Sequence, residues 1–304
     1  MVVGFDVNQM EAALETVQIA LEATGLLPLE PNQLLKPPEF TIHSVDTVAS
    51  TNQMLWELID QGARAGTVAI ACQQQAGRGQ WGRQWQSLPG GLYLSVGLRP
   101  QQAIAQAPQI TLCSAWGIAT ALRQYQIPVQ LKWLNDLVLN GHKLGGILTE
   151  TRVRQGQMTD VVVGVGINWA NPVPETAIAL QTYLAGQQKA SRLVEDAPMI
   201  TSLEMLGAIA LYGIMWGYSY WRRYGIQALI PSYEALLVNM GQRVEVEGRS
   251  GQVVGINEDG TLRVWLLDSH DPLEPCLDQS GLSTRATEIS VKPGMIQLGY
   301  GQHP

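Results

Sequence analysis

Charge is scarce in this chain. Charged residues make up 15% of its 304 positions, against about 25% in an average soluble domain, and glutamine carries much of the polar surface instead. Lys+Arg 19 against Asp+Glu 26 leaves a net charge of −7, with no long run of one sign. A sequence-independent DNA or RNA binder draws its affinity from clustered cations on phosphates, so that class is excluded; one basic pocket for a small anion is not. Cysteine is equally thin. Cys72, Cys113 and Cys276 are scattered, without a CxxC spacing, which argues against a disulfide framework and for a reducing, cytoplasmic setting. The most apolar stretch, 205–221, holds Gly207, Gly213, Gly217 and Ser219. It is shorter than the roughly 20 residues a bilayer requires and reads as a buried helix. The N-terminus carries acids where a signal peptide carries lysines, so secretion is not expected. A soluble protein with no membrane partner follows.

What is present divides unevenly. Hydrophobic residues reach 46%, enough for a sizeable core, and a prior of about 150 residues per domain suggests two domains. Met10, Leu14, Val17 and Leu21 share one helical face, with Gly25 as a stop and a proline-rich linker after it. From Phe40 onward strands are expected at 41–45, 67–73, 92–98, 130–133 and 161–168, with a hairpin through 137–149 that turns at Asn140-Gly141. Helices are expected from Ser50 or Thr51 to about Asp60, over 111–125, over 201–224 and over 231–238. This is a mixed α+β sheet rather than strict βαβ alternation. After about Met240 the pattern becomes a strand meander with a turn at 258–260, a polar interruption over 268–285 and a last strand at 287–291. A small β-barrel-like domain is expected there. The division is 1–39 as helix and linker, 40–238 as catalytic domain and 239–304 as C-terminal β domain.

The loop GRGQWGRQW, 77–85, is the most informative segment. Gly77, Gly79 and Gly82 let backbone approach a ligand closely, Arg78 and Arg83 suit carboxylates and phosphates, and Trp81 and Trp85 offer flat surfaces to cover a ring. Familiar motifs are missing. No GxxxxGK[ST] exists, and GVGINW puts Trp169 where a dinucleotide fold needs its third small residue. His43, His142, His270 and His303 show no metal spacing, and no GxSxG signals a nucleophile. A second block, KWLNDLVLNGHKLGGILTE, places Lys132 and Lys143 at the ends of a hairpin, with Asn135-Asp136 between them.

Together with Ser50-Thr51-Asn52 and Gly164–Asn168, these blocks closely resemble biotin–protein ligase. That family's pattern is STN, Q-x-x-G-R-G-x-x-G-R-x-W, K-W-P-N-D, K-L-x-G-I-L-x-E and G-x-G-I-N, in this order, and the resemblance runs over about 41–238. It implies a catalytic sheet like that of class II aminoacyl-tRNA synthetases followed by a small SH3-like barrel. It also implies a two-step reaction, in which biotin and ATP with Mg²⁺ give biotinyl-5′-AMP, and a lysine of the biotin carboxyl carrier protein of acetyl-CoA carboxylase then takes the biotinyl group. Carried over by motif, Ser50, Thr51, Asn52, Gln74, Arg78, Gly79, Gln80 and Lys143 would bind biotin, with Arg78 and the Gly79 backbone on its carboxylate. Lys143 and Arg78 would be catalytic. Arg83, Trp85, Lys132, Asn135, Asp136 and Asn168 would face the nucleotide, Asp136 or Asn168 being the weaker choices for Mg²⁺, whose ligands stay unknown. Leu134 replaces the motif proline, and Gln80 stands where many members carry a second loop arginine. One helix before Phe40 implies the form without a DNA-binding module, hence no DNA partner; a homodimer stays open. The rival readings are a lipoate–protein ligase of the same fold and a catalytically silent biotin or adenylate sensor.

Overall fold

The computed structural model describes residues 5–23, 39–189, 199–266, 287–296 and 298–300. In chain order its elements are α1 (Val7–Ala23), β1 (Thr41–Val48), α2 (Thr51–Asp60), β2 (Thr67–Gln74), β3 (Leu92–Leu98), β4 (Gln102–Ala103) and α3 (Ala107–Gln124). Then come β5 (Gln130–Lys132), β6 (Asp136–Leu139), β7 (His142–Arg154), β8 (Gln157–Ile167), α4 (Leu180–Lys189) and α5 (Leu203–Glu234). The chain closes with β9 (Arg243–Val246), β10 (Arg249–Ile256), β11 (Leu262–Leu266) and β12 (Thr287–Val291).

The first eight strands form one mixed sheet in the order β1-β2-β3-β8-β7-β6-β5, with β4 paired to β8. Only β1 and β2 run parallel; the remaining pairs are antiparallel. Strand side chains alternate between faces, and β8 shows what that alternation does. Val161, Val163, Val165 and Ile167 join the main core, whereas Val162 packs with Leu55 of α2 in a separate small cluster. On that second face β8 continues as Gly164 and Gly166, so the sheet is bare beyond the end of α2.

Helices α3 and α5 cover the first face, in backbone contact. A Cβ at Gly117 would lie 2.0 Å from the Gly213 carbonyl oxygen, and one at Gly217 would lie 2.0 Å from that of Cys113. The apolar stretch expected as a buried helix is α5, and no described helix is long and apolar enough to cross a membrane. Met10, Leu14, Val17 and Leu21 are buried as their spacing predicts, and Met10 reaches Gly207 of α5. Gly25 and the proline-rich linker lie outside the described residues.

One expectation needs correction. The separate helix over 231–238 does not exist: α5 continues to Glu234, interrupted at Gly225 with φ 78°, and Pro231 sits inside it. The apolar face formed by Ile226, Leu229 and Tyr233 is buried and restarts the helix directly after the glycine, so Pro231 is not a first-turn proline. Residues 236–238 instead run beside β5, with the Leu131 N–H on the Leu236 carbonyl and the Val238 N–H on that of Leu131. The expected small C-terminal β domain is present: its described strands form a four-stranded antiparallel sheet in the order β12-β11-β10-β9, and the polar interruption at 268–285 lies outside the described residues.

The backbone contact between α3 and α5 yields a stability test. Gly217→Ala forces a methyl into the Cys113 carbonyl and should cost about 1–3 kcal/mol, the usual penalty of overpacking. Gly186→Ala in α4, where an added Cβ meets nothing within 4 Å, should instead stabilise by about 0.4–1 kcal/mol. Urea midpoints of the two variants should move in opposite directions from the parent.

Candidate active site

The bare face of the sheet is organised by register. Residues paired across neighbouring strands point to the same face, and one such row reads Lys132, Asp136, Gly146, Gly166, Tyr93 across β5, β6, β7, β8 and β3. The neighbouring row reads Leu148, Gly164, Ser95, Ala69 across β7, β8, β3 and β2. Above these rows lies a cavity of about 390 Å³, walled by the N-terminus of α2, the 77–85 loop and Pro293, Gly294, Ile296, Leu298 and Tyr300.

At one end the groups are uncharged and tied together. Thr51 donates to Gln74 Oε1 from its backbone N–H at 2.8 Å and from Oγ1 at 3.2 Å, and Gln74 Nε2 donates to Ser87 Oγ at 2.7 Å. Ser95 Oγ lies 2.6 Å from Asn52 Oδ1 and 2.8 Å from Thr51 Oγ1. Gly164 lets Asn52 reach the sheet, since a Cβ there would stand 2.1 Å from Asn52 Oδ1. Ser50 begins α2 without a side-chain capping bond, and its buried hydroxyl group lines the cavity. Gly166 does for Trp85 what Gly164 does for Asn52: its missing Cβ is where the indole edge rests. The Trp85 Nε1 donor is buried there without a hydrogen-bond partner.

The other end is ionic. Lys143 Nζ is 2.7 Å from Asp136 Oδ1 and 5.3 Å from the Trp85 ring centroid, which places the ammonium where the two ends meet. The Tyr300 hydroxyl donates to Asp136 Oδ2 at 2.9 Å, and Lys132 Nζ stands 3.8 Å above the Tyr300 ring. Burial pushes the Lys132 ammonium below the ordinary lysine range; Asp136 opposes that, and Lys143 and Arg83 add to it. Burial and the adjoining Asp136 carboxylate push the Tyr300 phenol up, so it is a neutral donor at ordinary pH.

Of the residues expected at the site, Ser50, Thr51, Asn52, Gln74, Arg78, Gly79, Gln80, Arg83, Trp85, Lys132, Asn135, Asp136 and Lys143 all line this cavity. Three of the expected roles change. Asn168 is not among the lining residues: its amide faces the Lys143 carbonyl and Asn171, bracing the turn after β8. The Gly79 N–H is spent on the Arg83 carbonyl at 2.7 Å and is not free for a carboxylate. Asn135 Nδ2 likewise donates to the Ile147 carbonyl at 2.6 Å. Trp81 also lines the cavity; it is 67% exposed and packs on Gly294. The peptide between Trp133 and Leu134, at the position of the motif proline, is cis.

Sequence reasoning missed Ser87, Ser95, Glu150 and Tyr300 as contributors. Glu150 accepts from Asn52 Nδ2 at 2.9 Å, Trp56 Nε1 at 3.3 Å and Arg78 Nη2 at 3.1 Å. Its only signal was its place at the end of the KLGGILTE block.

Residues 44–168 match the biotin/lipoate A/B protein ligase family. The biotin--[acetyl-CoA-carboxylase] ligase of Mycobacterium tuberculosis is 32% identical over 248 residues, covering 78% of this chain and 84% of that protein. The bifunctional ligase/repressor BirA of Escherichia coli is 30% identical over 257 residues, 78% of each. The chain belongs to the biotin–protein ligase family. Its fold agrees with that of the solved biotin protein ligase from Aquifex aeolicus in complex with biotin and ATP, at a TM-score of 0.61 and 24% identity over 84% of this chain and 97% of that one. The chain is thus an enzyme of the biotin–protein ligase class, and the cavity above the bare rows is where its chemistry is sought.

Glu150 supplies the test of this geometry. Removing it in Glu150→Ala leaves the Trp56 Nε1 donor without its acceptor and the Asn52 amide with only the Leu148 carbonyl at 3.3 Å, at about 1–3 kcal/mol for an under-satisfied polar group. Arg78→Ala removes one half-exposed partner and should cost under about 1 kcal/mol. Equal denaturation midpoints for the two variants would contradict the central place given to Glu150.

Proposed function

We propose that this enzyme activates biotin with ATP as biotinyl-5′-AMP and transfers the biotinyl group to a lysine of the biotin carboxyl carrier protein of acetyl-CoA carboxylase. The observation that carries this reading is the two-ended cavity: an uncharged amide and hydroxyl end and a cationic end meet at the Lys143 ammonium. A ureido ring needs both donors and acceptors in a dry place, and Ser50, Thr51, Asn52 and Gln74 offer them without burying charge. A triphosphate needs cations, which Lys132, Lys143 and Arg83 provide.

In the first step the biotin carboxylate attacks the α-phosphorus of ATP, the bond to the bridging oxygen breaks, and pyrophosphate leaves. Charge grows on the phosphoryl oxygens, and the Lys143 ammonium is the positioned cation that stabilises it. Arg78, held at the cavity rim by Glu150, is the second cation for the carboxylate. In the second step the carrier lysine, as free amine, attacks the mixed-anhydride carbonyl and AMP departs with the electron pair. Positioning and electrostatics suffice, and no covalent enzyme intermediate is invoked. Mg²⁺ arrives with ATP as part of the substrate. Such an ion is held mainly by phosphates with one or two carboxylates, and Asp136 is the carboxylate at hand. Residues 40–238 are read as the catalytic unit and 239–304 as the C-terminal unit; the run of 236–238 beside β5 and the start of β9 at Arg243 support that division.

The deciding experiment incubates the protein with ATP, a carrier domain and labelled biotin or lipoate, and follows pyrophosphate exchange in parallel. Biotin-dependent exchange and labelled carrier are expected, with lipoate inactive. Biotin binding without exchange would instead favour the silent sensor. Lys143→Ala should lose about 2.7–4 kcal/mol of transition-state stabilisation, and unchanged exchange in a folded variant would sink its assignment.

Gln80 provides an independent prediction. It lines the cavity where many relatives of this pattern carry arginine, and an arginine there could add charge-assisted bonds to the adenylate phosphate of roughly 1.5–3 kcal/mol each. Gln80→Arg should therefore slow release of biotinyl-5′-AMP by about tenfold or more, read by stopped-flow tryptophan fluorescence on chase with excess biotin. Equal off-rates would mean that position 80 does not face the phosphate.

A further inference from the structure

The segment after β12 folds back over the ionic end of the cavity. Gly294 lies against the Trp81 indole, Ile296 and Leu298 pack on the main core, and Tyr300 closes the row that begins at Lys132. Asp136 is the shared partner: Oδ1 holds the Lys143 ammonium at 2.7 Å and Oδ2 accepts the Tyr300 hydroxyl at 2.9 Å. A carboxylate bound through one oxygen can still turn about its terminal torsion. Bound through both, it cannot turn without breaking a bond. Lys143 is a point charge on a flexible stem, so its location depends on the orientation of that acceptor.

We propose that Tyr300 is a positioning residue for adenylation, fixing Asp136 and through it Lys143, and that its ring, over which Lys132 sits, is a wall of the nucleotide end. The inference rests on the ligase reading given above and extends it to a residue outside the resembling motifs. The tail acts as a wall and not as a plug, because the cavity spans about 390 Å³ with Tyr300 among its lining residues, within the range of small-molecule sites, about 300–1,000 Å³.

The two parts of the proposal separate in the full-length protein. Tyr300→Phe keeps the ring over Lys132 and removes the donor; Tyr300→Ala removes both. In biotin-dependent pyrophosphate exchange, Tyr300→Phe should lower kcat roughly tenfold, the scale of one hydrogen bond to a charged group. Its KM values for ATP and biotin should stay within about twofold of the parent, because an interaction made chiefly in the transition state is what is lost. Tyr300→Ala should lower kcat similarly and also raise KM for ATP, by roughly tenfold, leaving KM for biotin in place. Thermal midpoints of both variants should stay near that of the parent. Parental kcat in both variants overturns the proposal, as does a matched rise in both KM values with a lowered midpoint, which would mark a merely structural role. A fall in KM for ATP in Tyr300→Ala overturns it too, by showing that the tail obstructs the site. Absence of biotin-dependent exchange in the parent protein would overturn the ligase reading itself, and this inference with it.

Discussion

Strand register is the constraint on which the site depends. Lys132, Asp136, Gly146, Gly166 and Tyr93 come from five different strands, and they stand in one row only because β5, β6, β7, β8 and β3 pair as they do. A slip of one residue in β8 would turn Val165 and Ile167 toward the cavity and the glycines toward the core. The hydrophobic alternation of β8 prevents this: Val161, Val163, Val165 and Ile167 are all buried on the core side. Core packing on one face thereby holds the cavity floor on the other. The register shift between Leu137 and Val138 in the β6–β7 pairing belongs to the same design, since it lets Asp136 oppose Gly146 while Leu139 opposes His142.

The floor made by that register is defined by missing atoms. Gly164 and Gly166 are not hinges here; neither has a positive φ. Their function is close approach, one for the Asn52 amide and one for the Trp85 indole. Interiors are packed too tightly to absorb an extra methyl against a fixed amide or ring. Because Asn52 and Trp85 belong to different walls of the cavity, the same strand sets the distance between the α2 wall and the loop wall. The Trp85 indole packs closely on Gly166, and among the described residues its Nε1 has no hydrogen-bond partner.

Much of this was legible beforehand, for a physical reason. The five motifs are short runs, and the structure brings their side chains to one cavity: hydroxyls and amides of STN and Gln74, the cations of the loop, and Lys132 and Lys143 flanking Asp136. What the motifs could not convey was which atoms were already spent. The Gly79 N–H and the Asn135 and Asn168 amides are engaged by neighbouring backbone or side chains, and nothing in a one-dimensional pattern reports that. Ser95 was invisible because a serine within an apolar strand carries no local signal; its role exists only through the pairing of β3 with β8. Tyr300 was invisible for a different reason. It follows the whole strand meander and reaches the site by crossing back over it. The α5 boundary failed because proline is a good first-turn residue, and the buried face beyond Gly225 outweighed that preference.

The C-terminal sheet is fastened to the site through Trp133, a residue of the KWLND motif. Trp133, between Lys132 and the Leu134 that replaces proline, sends its Nε1 donor 2.9 Å to the Gly260 carbonyl, in the turn before β11. Its backbone N–H meets Asn239 Oδ1 at 3.1 Å, and Tyr233 at the end of α5 donates to the Leu134 carbonyl at 2.9 Å. These three bonds are buried, where an unpaired polar group is costly, so the connection is a directional one added to apolar contact. Val253, Ile256, Leu262 and Val264 of the small sheet belong to the same hydrophobic cluster as the catalytic sheet. The cation at 132 and the anchor at 133 are adjacent in the chain and point in different directions. The backbone of the ionic end is thereby tied directly to the small sheet. That geometry explains why a chain with so little charge overall concentrates four of its cations, Arg78, Arg83, Lys132 and Lys143, around one cavity: the apolar contacts fix the frame, and the few charges are left for the site it encloses.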